Sequence, residues 1–236
     1  MRGSGCGVSA GVARLASLPG VSTASGVASA AEHARSTGGV LRVHPAFADL
    51  LPSAGLRRGS TVAVLGSVSL LLALLAEATA AGSWAAVVGV PTLGLAAAEE
   101  LGVEVGRLAL IPRPGVEFPA VTAALLDGVD LVAVGAAGVN AQVARRLSAR
   151  ARHRDAVLLA LGSWPGAEVE LRCEPGRWSG LEAGYGHLRA RGVVVHARGR
   201  GAAARPMSTR VLLPGPAGVV ARQEQNVHSI FSSEVG

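Results

Sequence analysis

Residues 61–75, TVAVLGSVSLLLALL, decide how the rest of the chain is read. The first five form an apolar, β-branched run suited to a buried strand. Gly66 and Ser67 then make a turn, and the leucines beyond Ser69 are helix formers. Strand, glycine turn and helix in this order give the outline of a phosphate loop. A working loop of the G-x-x-x-x-G-K-[ST] kind needs a second glycine for close backbone approach, a lysine for the phosphates and a hydroxyl for Mg²⁺. Counted from Gly66, those positions hold Leu71, Leu72 and Ala73, and all 22 basic residues of the chain are arginine. Gly66, Ser67, Val68 and Ser69 are therefore expected to keep the shape of the loop without its ligand groups. A structural strand and helix is expected, with no nucleotide, cofactor or metal.

The 236 residues suit one medium domain with tails, and half of them are hydrophobic, mostly Ala, Val and Leu. Aromatic residues make up only 3%, so the stacking platforms of a typical single-strand nucleic-acid binder are scarce. The net charge of +6 favours an acidic partner, either nucleic acid or an acidic protein surface, and is equally compatible with a high-arginine composition of no specific meaning. Cys6 and Cys173 lie too far apart in sequence for a metal motif or a disulfide framework, and a reducing cytoplasm is the expected location. Residues 62–76 carry no charge but fall short of the about 20 apolar residues of a membrane span, so no membrane is expected. The stretch at 28–31, ASAA, resembles a cleavage site, yet Arg14, Pro19, Ser22 and Ser25 interrupt any apolar region before it.

Residues 1–39 are rich in Gly, Ser and Ala and read as a disordered N-terminal tail. Residues 40–59 form an approach segment with Phe47, Leu50 and Leu51 as apolar anchor. Strands are expected at 61–65, 83–90, 108–111, 129–134 and 156–161, alternating with helices at 69–81, 93–101, 119–126 and 140–154. That alternation indicates an α/β fold with a mostly parallel sheet covered by helices on both faces. Beyond Trp164 and Pro165 the pattern becomes period-two at 168–173, 187–197 and 209–213, the signature of antiparallel strands added near the C-terminus. The domain is expected over 40–218, with a flexible tail over 219–236.

The ordered pieces resemble the RecA superfamily core. Gly55, Leu56, Arg58 and Gly59 resemble its approach to the first core strand, residues 61–75 its phosphate-loop strand and helix, and Leu101, Gly102, Val103, Val105, Arg107 and Leu108 the passage before its next strand. Residues 131–134 fall where that superfamily carries its second acidic strand. More narrowly, GSVSLLLALLAEA, AAGSWAAVVGVPTLGLAAAEELGV and GHLRARGVVVHARGR resemble the actinobacterial ImuA-prime type of mutasome accessory protein. That resemblance implies a scaffold in translesion synthesis. It would work with an ImuB-like inactive relative of the Y-family polymerases and, through it, with an error-prone replicative-type polymerase and the sliding clamp. The departures fit such a role. Val90 and Pro91 stand near the place of a water-activating carboxylate, Gly135 at that of the metal-organising Asp, and Asp130 at the wrong end of its strand. ATP hydrolysis is not expected. The rival is a nucleotide-dependent ATPase using Arg57, Arg58 and the turn at 66–69. A third reading is a DNA-binding, recombinase-like filament.

Two arginine groups are candidate DNA or partner surfaces. On the helix at 140–154, Arg145, Arg146 and Arg152 face outward, with a solvated face as the alternative reading. Arg198, Arg200 and Arg205 form a basic loop. His187 and the turn serines have ordinary structural explanations. Trp164, Trp178 and Tyr185 are expected to cover the sheet edge. Val227, Ile230 and Phe231 could form an apolar anchor for a protein partner.

Overall fold

The computed structural model describes residues 39–182, 185–201 and 204–223. The approach segment is more regular than its sequence suggests. β1 (Val40–Leu41) pairs antiparallel with β2 (Leu56–Arg57), and α1 (Pro45–Ala48) lies between them. His44 caps that helix, its Nδ1 accepting the Ala46 N–H at 3.2 Å, and Pro45 fills the first turn, where a missing N–H does no harm. Phe47, Leu50 and Leu51 are buried, as expected.

The main sheet has nine strands. β3 (Thr61–Leu65), β4 (Ala85–Val88), β5 (Leu108–Ile111), β6 (Leu131–Gly135) and β7 (Val157–Leu161) are parallel. β8 (Val169–Glu182), β9 (Tyr185–Gly199), β10 (Met207–Leu212) and β11 (Ala221–Arg222) complete the order β11-β10-β9-β8-β3-β7-β6-β4-β5. The runs AAVV, LVAV and VLLA are buried at every position, which is what helices on both faces require. β8 departs from the expected antiparallel pattern at its start. Its residues 169–172 pair parallel with β3, and only its partnership with β9 is antiparallel.

α2 (Val68–Ala80) and α3 (Leu95–Glu100) lie on one face, in a single apolar cluster with Val62 and Val64 of β3 and with Phe47, Leu50 and Leu51. That cover explains why α2 is buried almost all round. α4 (Phe118–Gly128) and α5 (Ala141–His153) lie on the other face, over Ala63, Val132, Val134, Leu158 and Ala160. Asn140 caps α5, accepting the Val143 N–H at 2.9 Å. No helix packs in that second cluster over β9 and β10. Arg172 and Glu174 of β8 and Arg198 of β9 alternate with buried residues and are exposed.

The sheet runs past the boundary expected at residue 218. Val220 is buried and Ala221–Arg222 pairs with β10, because the polar texture of this stretch conceals a short apolar contact. Residues 1–38, the rest of the expected N-terminal tail, and Val227, Ile230 and Phe231 lie outside the described residues.

Candidate functional site

The turn after β3 has not kept the shape of a phosphate loop. Ser67 accepts the Leu70 N–H at 3.1 Å through Oγ, so only two residues separate the strand from the helix, and Val68 and Ser69 belong to its first turn. Gly66 has φ +84°, and a Cβ there would lie 2.7 Å from the Cys173 carbonyl oxygen. The backbone of β8 occupies the space beside the turn that a phosphate cradle would have to open. Burial pushes the neighbouring Cys173 thiol up, with a hydrogen bond to Ser67 opposing it, so the group stays a neutral thiol.

The opposite end of the parallel strands holds a buried ion pair. Asp130 Oδ1 accepts Arg58 Nη2 at 2.9 Å, and Oδ2 accepts the Trp84 backbone N–H at 2.9 Å. Arg58 Nη1 also reaches the Asp155 carbonyl at 3.4 Å. Arg58, Trp84, Asp130 and Asp155 each stand just before β3, β4, β6 and β7, so this network clamps the starts of four strands. It also relocates Arg58. A five-residue strand of about 17 Å separates that guanidinium from Gly66. Arg57 lies at the same end as Arg58 and pairs with Glu168 at 2.6 Å. The rival phosphate site is therefore not assembled.

Among the α5 arginines, Arg150 and Arg154 converge on Asp127. Its Oδ1 accepts Arg150 Nε at 2.8 Å and Arg154 Nε at 3.0 Å, and its Oδ2 pairs with Arg150 Nη2. Hydrogen bonding to Arg150 and the charges of Arg150 and Arg154 outweigh slight burial and hold the Asp127 carboxyl below its usual range. Arg145, Arg146 and Arg152 are exposed and have no carboxylate partner among the described residues. Arg198, expected in a loop, is on β9 opposite Glu170; Arg200 and Arg205 follow the strand and are exposed. Arg200 lines a cavity of about 360 Å³ with Leu51, Leu56, Arg57, Ser60 and Val169, at the clamped end of the sheet.

A second crevice, about 370 Å³, lies outside the C-terminal ends of β4 and β6, beside Gly89, Gly135, Phe118 and Asn140. None of its lining residues is ionisable, so it offers no acid, base or nucleophile. Among the described residues no group of three or more His, Cys, Asp or Glu could hold a metal ion, and no helix is long and apolar enough to cross a membrane.

The aromatic residues are arranged otherwise than expected. Trp164 is buried against α5, its Nε1 donating to Ser148 Oγ at 2.9 Å. Trp178 and Tyr185 do not cover the sheet edge. They sit on the long β8–β9 ribbon, 45% and 83% exposed. The period-two signal stopped at Cys173, because Pro175, Gly176 and Gly180 read as turns when they are irregularities within one continued strand.

These features define an α/β protein with a closed strand-to-helix turn and a projecting ribbon. Residues 49–166, half of the 236, match the MT3502 N-terminal domain family, and the chain belongs to that family. The chain is also similar to the uncharacterized protein Rv3395c of Mycobacterium tuberculosis (strain ATCC 25618 / H37Rv), 44% identical over 128 residues. That match covers 52% of this chain and 63% of the relative, so the chain spans less than two thirds of the relative's length. The family match ends before β8, so the ribbon lies outside it.

Proposed function

We propose that the protein is a non-catalytic, RecA-like accessory or scaffold protein of a DNA-damage-induced translesion synthesis complex in the cytoplasm. It would hold an ImuB-like inactive Y-family polymerase relative and, through it, an error-prone replicative-type polymerase and the sliding clamp. The observation that carries the non-catalytic part is the closed turn. Gly66 abuts the Cys173 carbonyl, Ser67 is spent on capping α2, and no lysine exists to meet a phosphate. Stabilising a transferring phosphoryl group needs preorganised cations and donors at the reacting oxygens. The RecA-like part is supported by the central place of β3 in a parallel sheet flanked by helices and by the antiparallel extension through β9 and β10. The scaffold part rests on the sequence resemblance. Arg145, Arg146 and Arg152, exposed on one helix and without a carboxylate partner among the described residues, suit an acidic surface of a partner or a DNA backbone as a secondary contact.

Two measurements test the reading. Millimolar ATP with Mg²⁺ is expected to leave the melting temperature of the purified chain unchanged and to release no phosphate; a clear rise in Tm overturns the non-catalytic assignment. Size-exclusion chromatography with the inactive polymerase relative is expected to give one co-eluting species, and separate elution at micromolar concentration overturns the scaffold assignment.

A further inference from the structure

β8 and β9 outrun the sheet. Pairing with β3 ends at Arg172, and the far side of β9 is bonded no further than Arg191, which exchanges hydrogen bonds with the backbone of Leu213 and Pro214. Beyond that point, among the described residues, the two strands pair only with each other. They form an arm about five residues long, roughly 17 Å. Isolated two-stranded ribbons are marginal in water, and this one exposes large apolar groups: Trp178, Leu181, Tyr185 and Leu188.

The arm sets a guanidinium on an aromatic ring. Trp178 stands opposite Arg191 in the ladder, and the Arg191 guanidinium lies over its ring at 5.6 Å. The stem of Arg189 packs where Gly180, two residues past Trp178, carries no side chain. Tyr185 stands at the tip, opposite residue 182. Arg177, at the base, and Arg189 are exposed, whereas Arg191 is half-buried and its Nε also donates to the Leu213 carbonyl at 3.1 Å. Two carboxylates belong to this strand: Glu174, before the arm begins, lies 3.1 Å from His196, and Glu182 stands at the tip. A half-exposed indole with a guanidinium on it, a second open ring and arginines in excess of carboxylates suit a chain that offers flat unsaturated rings and phosphates together.

We infer that the β8–β9 arm is a binding site for single-stranded nucleic acid, with Trp178 and Tyr185 stacking on unpaired bases and Arg177, Arg189 and Arg191 meeting the backbone. A duplex keeps its bases stacked on one another and offers the rings nothing. A protein groove would satisfy Leu181 and Leu188, but it has no comparable use for a guanidinium stacked on the indole with two exposed arginines on the same ribbon. The inference goes beyond the proposed scaffold role and does not depend on which proteins the chain holds.

Fluorescence anisotropy of a labelled oligothymidylate, titrated with the full chain at about 50 mM salt, tests it. Binding is expected, with quenching of tryptophan emission. Trp178→Ala and Tyr185→Ala are each expected to weaken it by about fivefold or more, the lower end of the loss for one stacked base. Replacing Arg189 and Arg191 together by Gln is expected to reduce the slope of log affinity against log salt by about 1.4. An abasic phosphodiester chain of equal length is expected to bind more weakly and to quench nothing. Because the arm projects from the core, circular dichroism and Tm of the variants are expected to match the unaltered chain. Should a variant unfold, emission quenching of the unaltered chain remains the readout. Equal binding of the abasic chain, ring variants within twofold of the unaltered chain, or no binding at all overturns the inference. So does loss of the polymerase-relative complex in ring variants without any oligonucleotide binding, which would make the arm a protein dock.

Discussion

Asp130 has no solvent exposure at its side chain and Arg58 has 6%, so the two charges depend on each other. Removing one partner of a buried pair strands the other, at a cost of about 3–5 kcal/mol. Asp130→Ala should therefore lower unfolding stability by about that amount in urea titration, with the Trp84 N–H left unanswered as well. A loss below about 1 kcal/mol would show that water reaches the site. Asp127 behaves differently. Its folded pKa lies below the ordinary 3.8, so around those values the unfolded chain binds more protons than the folded one. The stabilisation is complete above the unfolded pKa and is lost as pH falls through the folded one. Asp127→Asn should consequently flatten the acid limb of the stability curve below about pH 5. At neutral pH the change should be small and vanish in high salt, since the carboxylate is 31% exposed. Unchanged acid unfolding would mean that the ion pairs do not persist in solution.

At the scale of elements, the turn between β3 and α2 depends on a glycine. A side chain at position 66 meets both a positive φ and the Cys173 carbonyl. Gly66→Ala should lower stability by roughly 1–3 kcal/mol, the usual penalty for a strained left-handed residue, in calorimetry or denaturant unfolding. The parallel strands and their helices were legible because strands buried on both faces must be continuous apolar runs, and Ser67 and Asn140 announced their caps by type and position. The arm was not. Pro175, Gly176 and Gly180 are loop signals in isolation, and here they sit at two register shifts where the ladder omits a partner. A Cβ at Gly176 would collide with the Gly192 carbonyl, a close approach that only the folded ribbon discloses. The Arg58 and Asp130 pair was equally hidden, because 72 residues separate its members and only the sheet order brings them together.

For the molecule as a whole, the sheet divides into two regions. From β3 through β7 and β6 to β4 both faces are roofed by helices and the strands are almost wholly apolar, while β5 at the edge is only partly covered. From β8 to β10 one face carries alternating charges, and the ribbon extends beyond the body. Absence of the loop chemistry was readable from composition. Closure of the loop was not, since it depends on a strand more than a hundred residues later lying against Gly66.

That strand has a consequence for anyone hoping to revive the lost chemistry by editing letters. Writing lysine, threonine and a second glycine back into α2 would place them on a helix already wound from its second residue, beneath a neighbour that does not yield. The route back would run through a longer connection and a displaced β8, two architectural changes instead of three point substitutions. Having closed this turn, the fold is held in its present form by geometry as firmly as by composition.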